Sequence, residues 1–170
     1  MSDDEASSGN MNDDKALSSD GCWGAAENDA AHSQAVGDLP QVLVVAAALL
    51  DVDNRVLLAQ RPPGKSMAGL WEFPGGKVGL NETPEAALIR ELDEELGIET
   101  RDSCLAPFTF ASHVYDDFRL LMPLYIIRTW RGTPQPREGQ ALKWVRASNL
   151  TDYAMPPADV PLVAMLRDYL

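Results

Sequence analysis

Cysteine is scarce in this chain. Cys22 and Cys104 are the two it contains, too few for a disulfide framework or a thiolate zinc site, and this points to a reducing, cytoplasmic compartment. Histidine is as scarce. His32 has only Cys22 for company, and two unclustered residues do not make a metal site, while His113 falls in an extended run and reads as a strand residue. Positive charge is in deficit, with 14 Lys and Arg against 26 Asp and Glu and a net charge of −12. That balance excludes nonspecific attraction to DNA, RNA or an anionic membrane. Long apolar runs are missing too: the longest, Val42 to Leu50, is less than half of the ~20 residues that a membrane-spanning helix requires. No internal repeat is visible. What is there is an ordinary globular composition, 45% apolar and 24% charged. The length, 170 residues, suits one domain with an appendage, since domains commonly run to ~100–200 residues. An acidic chain of this kind that handles phosphates needs a cation between them.

The charge deficit is concentrated at one end. Residues 1 to 39 carry nine acids and one Lys, a net of −8, which leaves −4 for the remainder. This stretch is rich in Ser, Asp, Ala, Asn and Gly and has no period of 2 or 3.6. It cannot bury enough apolar surface to offset its ordering entropy, so a disordered acidic tail is expected. It has neither the basic start and apolar stretch of a secretion signal nor the Arg-rich make-up of a transit peptide. Trp23 reads as an incidental exposed aromatic rather than a docking point. The folded domain is expected over residues 40 to 170.

In that domain Gln41 to Leu50 is a β-branched apolar run, Asp51 to Asn54 is turn chemistry and Arg55 to Arg61 is a second extended run, which together predict a hairpin. Asp51 and Asp53 do not begin a calcium loop, because Val56 and Pro62 stand where that loop needs Gly and Glu. The loop from Arg61 to Ser66 leads to a short strand, Leu70 to Phe73. Further strands are expected at Ala106 to Tyr115, Phe118 to Trp130 and Ala141 to Arg146, then a short helix near Ala147 and a last one over Ala158 to Leu170. The fold class is α/β, a mixed sheet with helices packed on it.

The chemistry is concentrated between Gly75 and Ile98. Thr83 is a good N-cap, Pro84 belongs at the first helical position and Gly97 closes the far end, so Pro84 to Leu96 is predicted as one helix. At 100° per residue Leu88, Ile89, Leu92 and Leu96 share an arc of about 100°, the face toward the core. Glu91, Glu94 and Glu95 share a neighbouring arc. Like charges at i, i+4 cost a few tenths of a kcal/mol each, so a sequence chosen for helix stability would interleave Lys here. Arg90 can bridge to Glu94, yet one Arg cannot neutralise three acids, and a hard divalent cation suits the remainder. A solvated acidic face is the competing reading. The preceding glycines, Gly75, Gly76 and Gly79, favour the first, since a glycine loop lets backbone approach a ligand closely.

Gly76, five residues, Glu82, seven residues, Arg90-Glu91-Leu92, one residue, Glu94-Glu95, one residue and Gly97-Ile98 resemble the Nudix box at every fixed position. That box is the signature of enzymes that hydrolyse nucleoside diphosphates linked to another moiety. The resemblance extends over nearly all of the chain after the tail. Ala59-Gln60-Arg61, Gly69 through Lys77, Arg137-Glu138-Gly139-Gln140 and Met155-Pro156-Pro157-Ala158-Asp159 look like the MutT-type branch, which clears oxidised nucleoside triphosphates from the nucleotide pool. The family's fold is an α/β/α sandwich with a mixed β-sheet.

The resemblance implies a nucleoside triphosphate substrate, 8-oxo-dGTP first, cleaved by water to the monophosphate and pyrophosphate. The Gly75 carbonyl, Glu91, Glu94 and Glu95 would hold Mg²⁺, with Mn²⁺ as a possible substitute. Arg90 would orient those glutamates and Glu82 would support Arg90. Glu91 is the first choice for general base, with Glu94 and Glu138 as rivals. Arg61, Ser66, Glu72, Phe73, Pro74 and Asp159 match positions around the nucleotide, and Phe73 reads equally well as core packing. Asp159 stands where the 8-oxoguanine-specific members carry an asparagine on the base edge. An ionised Asp accepts without donating, which suits the donors of oxidised guanine better than cytosine's single amine. A pyrimidine triphosphate pyrophosphohydrolase acting on CTP is the alternative, because that branch shares Leu70 to Phe73 and Ala158-Asp159. An ADP-ribose or dinucleoside polyphosphate hydrolase suits the short chain less well. A non-catalytic binding module would require a broken box, and this one is intact. Monomer and dimer are both compatible with the pattern.

A chain starting at Leu39 is expected to keep the melting temperature and activity of the whole protein, because the tail's composition gives the core nothing. Thermal unfolding of the two chains checks this, and a loss of several degrees on truncation would refute it.

Overall fold

Strand β1, Gln41–Leu49, is buried without interruption from Val45 onward, and the rest of the computed structural model is arranged around it. The structure describes residues 39–170; the expected disorder of the acidic tail, with Cys22, Trp23 and His32, lies outside the described residues. The remaining elements are β2 (Arg55–Gln60), β3 (Trp71–Glu72), β4 (Gly75–Lys77), helix α1 (Pro84–Leu96), β5 (Leu105–Val114), β6 (Arg119–Ile127), β7 (Ala141–Arg146) and helix α2 (Val160–Tyr169). Short 3₁₀ segments precede β5 and follow β7, at Asp102–Cys104 and Ala147–Asp152. Among the described residues, no helix is long and apolar enough to cross a membrane.

The strands form two sheets. One is mixed, in the order β4-β1-β6-β5; the other is antiparallel, in the order β3-β2-β7. In the first, β1 runs parallel to β6, with Ala46 opposite Leu124, and antiparallel to β4, with Ala46 opposite Gly75. A strand covered on both faces reads as a continuous apolar run, and the period of two sorts β1 between two cores. Val45, Ala47 and Leu49 pack with Leu88, Leu92 and Leu96 of α1. Ala46, Ala48 and Leu50 pack with Leu58, Phe73 and the α2 residues Leu162 and Leu166. The architecture is the expected mixed α/β class with helices packed on the sheets.

Two expectations are corrected. The turn at Asp51 to Asn54 forms as predicted: Asp51 Oδ1 accepts from the backbone of Asp53 and Arg55 at 2.9 and 2.8 Å, and Asn54 takes a positive φ of 56°. The strands it joins are not a hairpin. They touch at one bridge, Leu50 to Val56, and diverge into different sheets. Both edges of β1 are taken by β4 and β6, and both edges of β2 by β3 and β7, so each strand finds its hydrogen bonds elsewhere. The second correction concerns Gly75–Lys77, read as loop, which is strand β4. Gly75 has φ 152°, and a side chain there would overlap the Val45 carbonyl. Only glycine lets the backbone lie this close to β1.

Helix α1 spans the predicted residues. Thr83 Oγ accepts from Ala86 N at 3.2 Å, and Gly97 closes the helix in the left-handed region at φ 68°. Leu88, Leu92 and Leu96 are fully buried; Ile89 lies half-buried at the margin and Ala87 takes the fourth buried position.

Candidate active site

Helix α1 brings Arg90, Glu91, Glu94 and Glu95 against β4. The Arg90 guanidinium is the junction. Its Nε and Nη2 donate to both Glu82 oxygens at 2.8 and 3.0 Å, its Nη1 to Glu91 Oε1 at 2.8 Å and Glu94 Oε2 at 3.0 Å, and its Nη2 to the Lys77 carbonyl at 3.3 Å. The paired geometry suits Arg rather than Lys, because the planar fork meets a carboxylate at two points. Glu82, bound by Arg90 and also by the Gly79 backbone N–H, is held down at about 2 and stays ionised. The bonds to Glu82 and Glu91 in turn raise Arg90 and fix its charge. Gly76 leaves room for Glu91: a side chain at Gly76 would overlap that carboxylate.

Glu95 is the carboxylate that Arg90 does not reach. It accepts from the Gly75 backbone, but burial and then the negative charges of Glu91, Glu138 and Glu72 raise it to about 7. A group in that position calls for a cation. The donor set is all hard oxygen, as Mg²⁺ prefers, and in that sense the residues fit a divalent metal. Of the sequence-predicted ligands, Glu91 and Glu94 meet at Arg90 Nη1 and Glu95 meets the Gly75 backbone, while among the described residues no three carboxylates are grouped as a metal shell.

Glu138 arrives from the loop between β6 and β7. That loop is fastened to the C-terminal carbonyls of α1, which have no partners within the helix. Gln135 N donates to the Leu96 carbonyl and Arg137 N to the Glu95 carbonyl, at 2.9 and 3.0 Å. The buried Gln140 side chain donates to the Glu95 carbonyl at 2.9 Å and accepts from Glu138 N at 2.7 Å. Arg137 Nη1 donates to the Asp93 carbonyl at 2.9 Å. Across the site Lys65 pairs with Glu138.

The other end of the site is built by β3 and α2. Arg61 Nε donates to Glu72 Oε2 at 2.7 Å and its Nη1 to the Ser66 carbonyl at 3.0 Å. Thus Arg61, Ser66 and Glu72 are held in one group, with Ser66 contributing backbone. Burial raises Glu72 despite the pull of Arg61. Phe73 and Pro74 are buried, Phe73 within the core that includes Leu162 and Leu166; of its two readings the structure places it in the packing. Asp159 is 5% exposed at the start of α2. Burial, reinforced by Glu72, raises it to about 7, against a bond from the Phe73 backbone. The acceptor-only reading holds for ionised Asp159; with the carboxyl raised to about 7, a protonated form that also donates is within reach near neutral pH.

Sequence reasoning missed Lys65 and Tyr115, and quoted Gln140 only within the segment Arg137 to Gln140, without a role of its own. Tyr115 is oriented by the Ala158 backbone near Asp159 and Arg61 and stacks on Phe118 at 4.8 Å. Neither Lys65 nor Tyr115 carries a local signature; their place in the site comes from the elements that face them. Two surface clefts, about 490 Å³ beside β5 and β6 and about 460 Å³ beside Trp130 and Trp144, share no residue with this site.

The model of the NUDIX domain family matches residues 45–165. Among curated proteins, the chain is 40% identical over 125 residues to the CTP pyrophosphohydrolase of Escherichia coli strain K12, covering 72% of this chain and 90% of that one. It is 34% identical over 115 residues to the 8-oxo-dGTP diphosphatase of the same strain, covering 68% and 88%. A solved MutT structure, from work on the Aliivibrio salmonicida and Vibrio cholerae proteins, superposes with a TM-score of 0.66 at 32% identity, covering 76% of this chain and 99% of that one.

Glu95 sets an expected pH dependence. Its folded-state value, about 7, lies above the unfolded value of 4.5, so its contribution is fully present below pH 4.5 and is lost as pH rises through 7. With divalent cations chelated, the stability of the wild type relative to Glu95→Gln should fall by roughly 1–3 kcal/mol between pH 4.5 and 8. Denaturant unfolding of both proteins at several pH values measures this; a difference that stays level across the range contradicts it.

Proposed function

The chain belongs to the NUDIX domain family as a hydrolase of its MutT type, and from that premise we propose that it cleaves nucleoside triphosphates, oxidised guanine nucleotides first, to the monophosphate and pyrophosphate. The observation that carries this reading is the division of labour on α1. Arg90 compensates Glu82, Glu91 and Glu94, while Glu95, beside Gly75, is left in a negative field and, among the described residues, in no salt bridge.

In this reading the Gly75 carbonyl, Glu91, Glu94 and Glu95 hold a divalent cation, Mg²⁺ or Mn²⁺, which when bound offsets charge on the phosphates and makes water more acidic. The protein's own residues do the rest. Arg90 holds Glu91 through Oε1 beside Gly76, and Glu91 is our first choice for the base that takes the proton from the attacking water. Glu94 and Glu138 are its rivals. Water oxygen bonds to phosphorus as the bridging P–O bond breaks, and pyrophosphate departs with that bond's electrons. Arg61, Glu72 and Ser66 border the nucleotide, with Asp159 at the base edge.

Protonated Asp159 separates oxidised from unoxidised guanine. Its O–H can donate to O6 while its carbonyl oxygen accepts from N7–H, and unoxidised guanine has an acceptor at N7 instead. A second reading, CTP, is favoured by the 40% identity to a CTP pyrophosphohydrolase, and cytosine's amine and ring nitrogen can meet the same carboxyl. The proposed setting is a nucleotide pool in the cytoplasm, with no nucleic acid or membrane as partner, and a monomer or dimer as the working form.

Glu94→Gln should keep the fold while lowering turnover by at least ~10²-fold, the scale of a lost metal-ligand or proton-transfer role. Steady-state pyrophosphate release at saturating Mg²⁺ tests it, and near-wild-type turnover sinks the assignment. For the base, kcat/KM on a panel of 8-oxo-dGTP, dGTP, CTP and ADP-ribose should rank 8-oxo-dGTP above CTP. Asp159→Ala should shrink that preference, because a correctly paired polar site can discriminate by ~10⁴ or more. A higher value for CTP in the wild type, or an unchanged ratio in the variant, defeats the base assignment and leaves the hydrolase reading standing.

A further inference from the structure

Lys65 faces acids from three separate elements. Its ammonium pairs with Glu138 of the β6–β7 loop, and its charge is further favoured by Glu95 on α1 and Glu72 on β3. It sits on the exposed loop between β2 and β3, where Gly64 and Gly69 take positive φ values of 91° and 85° with open space around them. Neither side chain of the pair is enclosed: Lys65 is 55% and Glu138 41% exposed. An ion pair so open to water is weak and readily exchanged.

The two arginines that meet the site's carboxylates are committed. Arg90 spends its donors on Glu82, Glu91, Glu94 and the Lys77 carbonyl. Arg61 spends its own on Glu72 and the Ser66 carbonyl. Lys65 has one partner, and that partner is among the carboxylates proposed to act on water. A triphosphate entering this acidic centre would meet Glu72, Glu91, Glu94, Glu95 and Glu138, and a flexible ammonium at the mouth is suited to receive it as a point charge.

We propose that Lys65 is an exchangeable latch: it pairs with Glu138 in the nucleotide-free enzyme and transfers to the phosphate chain of the bound nucleoside triphosphate, which frees the Glu138 carboxylate. This rests on the nucleotide hydrolase reading above. It also makes Lys65 a competitor of the divalent cation when no nucleotide is bound, because both are attracted by the same acids.

The experiment uses the full chain as wild type, Lys65→Met and Lys65→Arg. Mn²⁺ binding without nucleotide is measured by calorimetry, and pyrophosphate release from 8-oxo-dGTP and CTP by steady-state kinetics. In Lys65→Met, Mn²⁺ should bind at least about fivefold tighter, because removing one solvated positive charge relieves its repulsion of a doubly charged ion. KM for the nucleotide that the enzyme hydrolyses should rise about five- to tenfold, with kcat changed by less than about twofold. Lys65→Arg, which keeps the charge, should restore both values. Unchanged KM in Lys65→Met overturns the proposal, as does Mn²⁺ binding that is unchanged or weaker, which would mark Lys65 as a structural strut. If the wild type hydrolyses neither nucleotide, the hydrolase reading fails, and the latch is then judged by Mn²⁺ together with inorganic tripolyphosphate: Lys65→Met must bind Mn²⁺ more tightly and tripolyphosphate less tightly, or the latch fails as well.

Discussion

The structure depends on Arg90. Three of its neighbours on one helix flank and loop, Glu82, Glu91 and Glu94, would repel one another without it, and its five donors are distributed over them and the Lys77 carbonyl. Lysine could not do this, because a single ammonium has no planar fork to engage Glu82 at two oxygens while reaching two more carboxylates. The contact to Lys77 also ties α1 to β4, so the residue that balances charge fixes the distance between helix and glycine strand. Glu95, one turn beyond Glu91, lies outside this arrangement, and its raised pKa records the charge left over.

The core makes that geometry rigid. Strand β1 separates two apolar clusters, one under α1 and one under α2, with alternate residues serving each. Leu88, Leu92 and Leu96 anchor α1 from below, and the glycines Gly75 and Gly76 let β4 and Glu91 approach from the side. The loop carrying Glu138 is fastened to the free carbonyls at the end of α1 through Arg137 and Gln140. One helix therefore positions acids along its flank and, through its unsatisfied C-terminal carbonyls, an acid from a distant part of the chain.

The two ends of the site differ in chemistry. Around α1 the Arg90 guanidinium gathers Glu82, Glu91 and Glu94 into one hydrogen-bonded group. Around Asp159 burial decides, and the carboxyl is raised to about 7 with Glu72 adding to the effect. That contrast suits a ligand that is highly charged at one end and presents a hydrogen-bonding ring edge at the other. Lys65 stands between the two ends and answers to acids from both.

Much of this was legible in the residues themselves. Helix α1 was specified by signals contained within it: an N-cap, a proline at the first position, a terminal glycine and an apolar stripe at helical spacing, all of which depend on local backbone physics. The crowding of Glu91, Glu94 and Glu95 was legible for the same reason, since a helix converts spacing into a face. The partner of each strand was not legible. A turn at Asp51 to Asn54 does not say whether its strands pair, and only the competition for strand edges by β4, β6, β3 and β7 separated β1 from β2. The protonation of Asp159 was likewise undecided, because burial is a property of what packs around a residue. Lys65 and Tyr115 carry no local mark, and the segment ending at Gln140 does not say what that side chain binds. They meet the site through contacts spanning tens of residues, such as Lys65 to Glu138 and Gln140 to the Glu95 carbonyl. Periodicity and capping act over a few residues and can be read along the chain, whereas edge pairing, burial and long-range ion pairs exist only once the chain has folded.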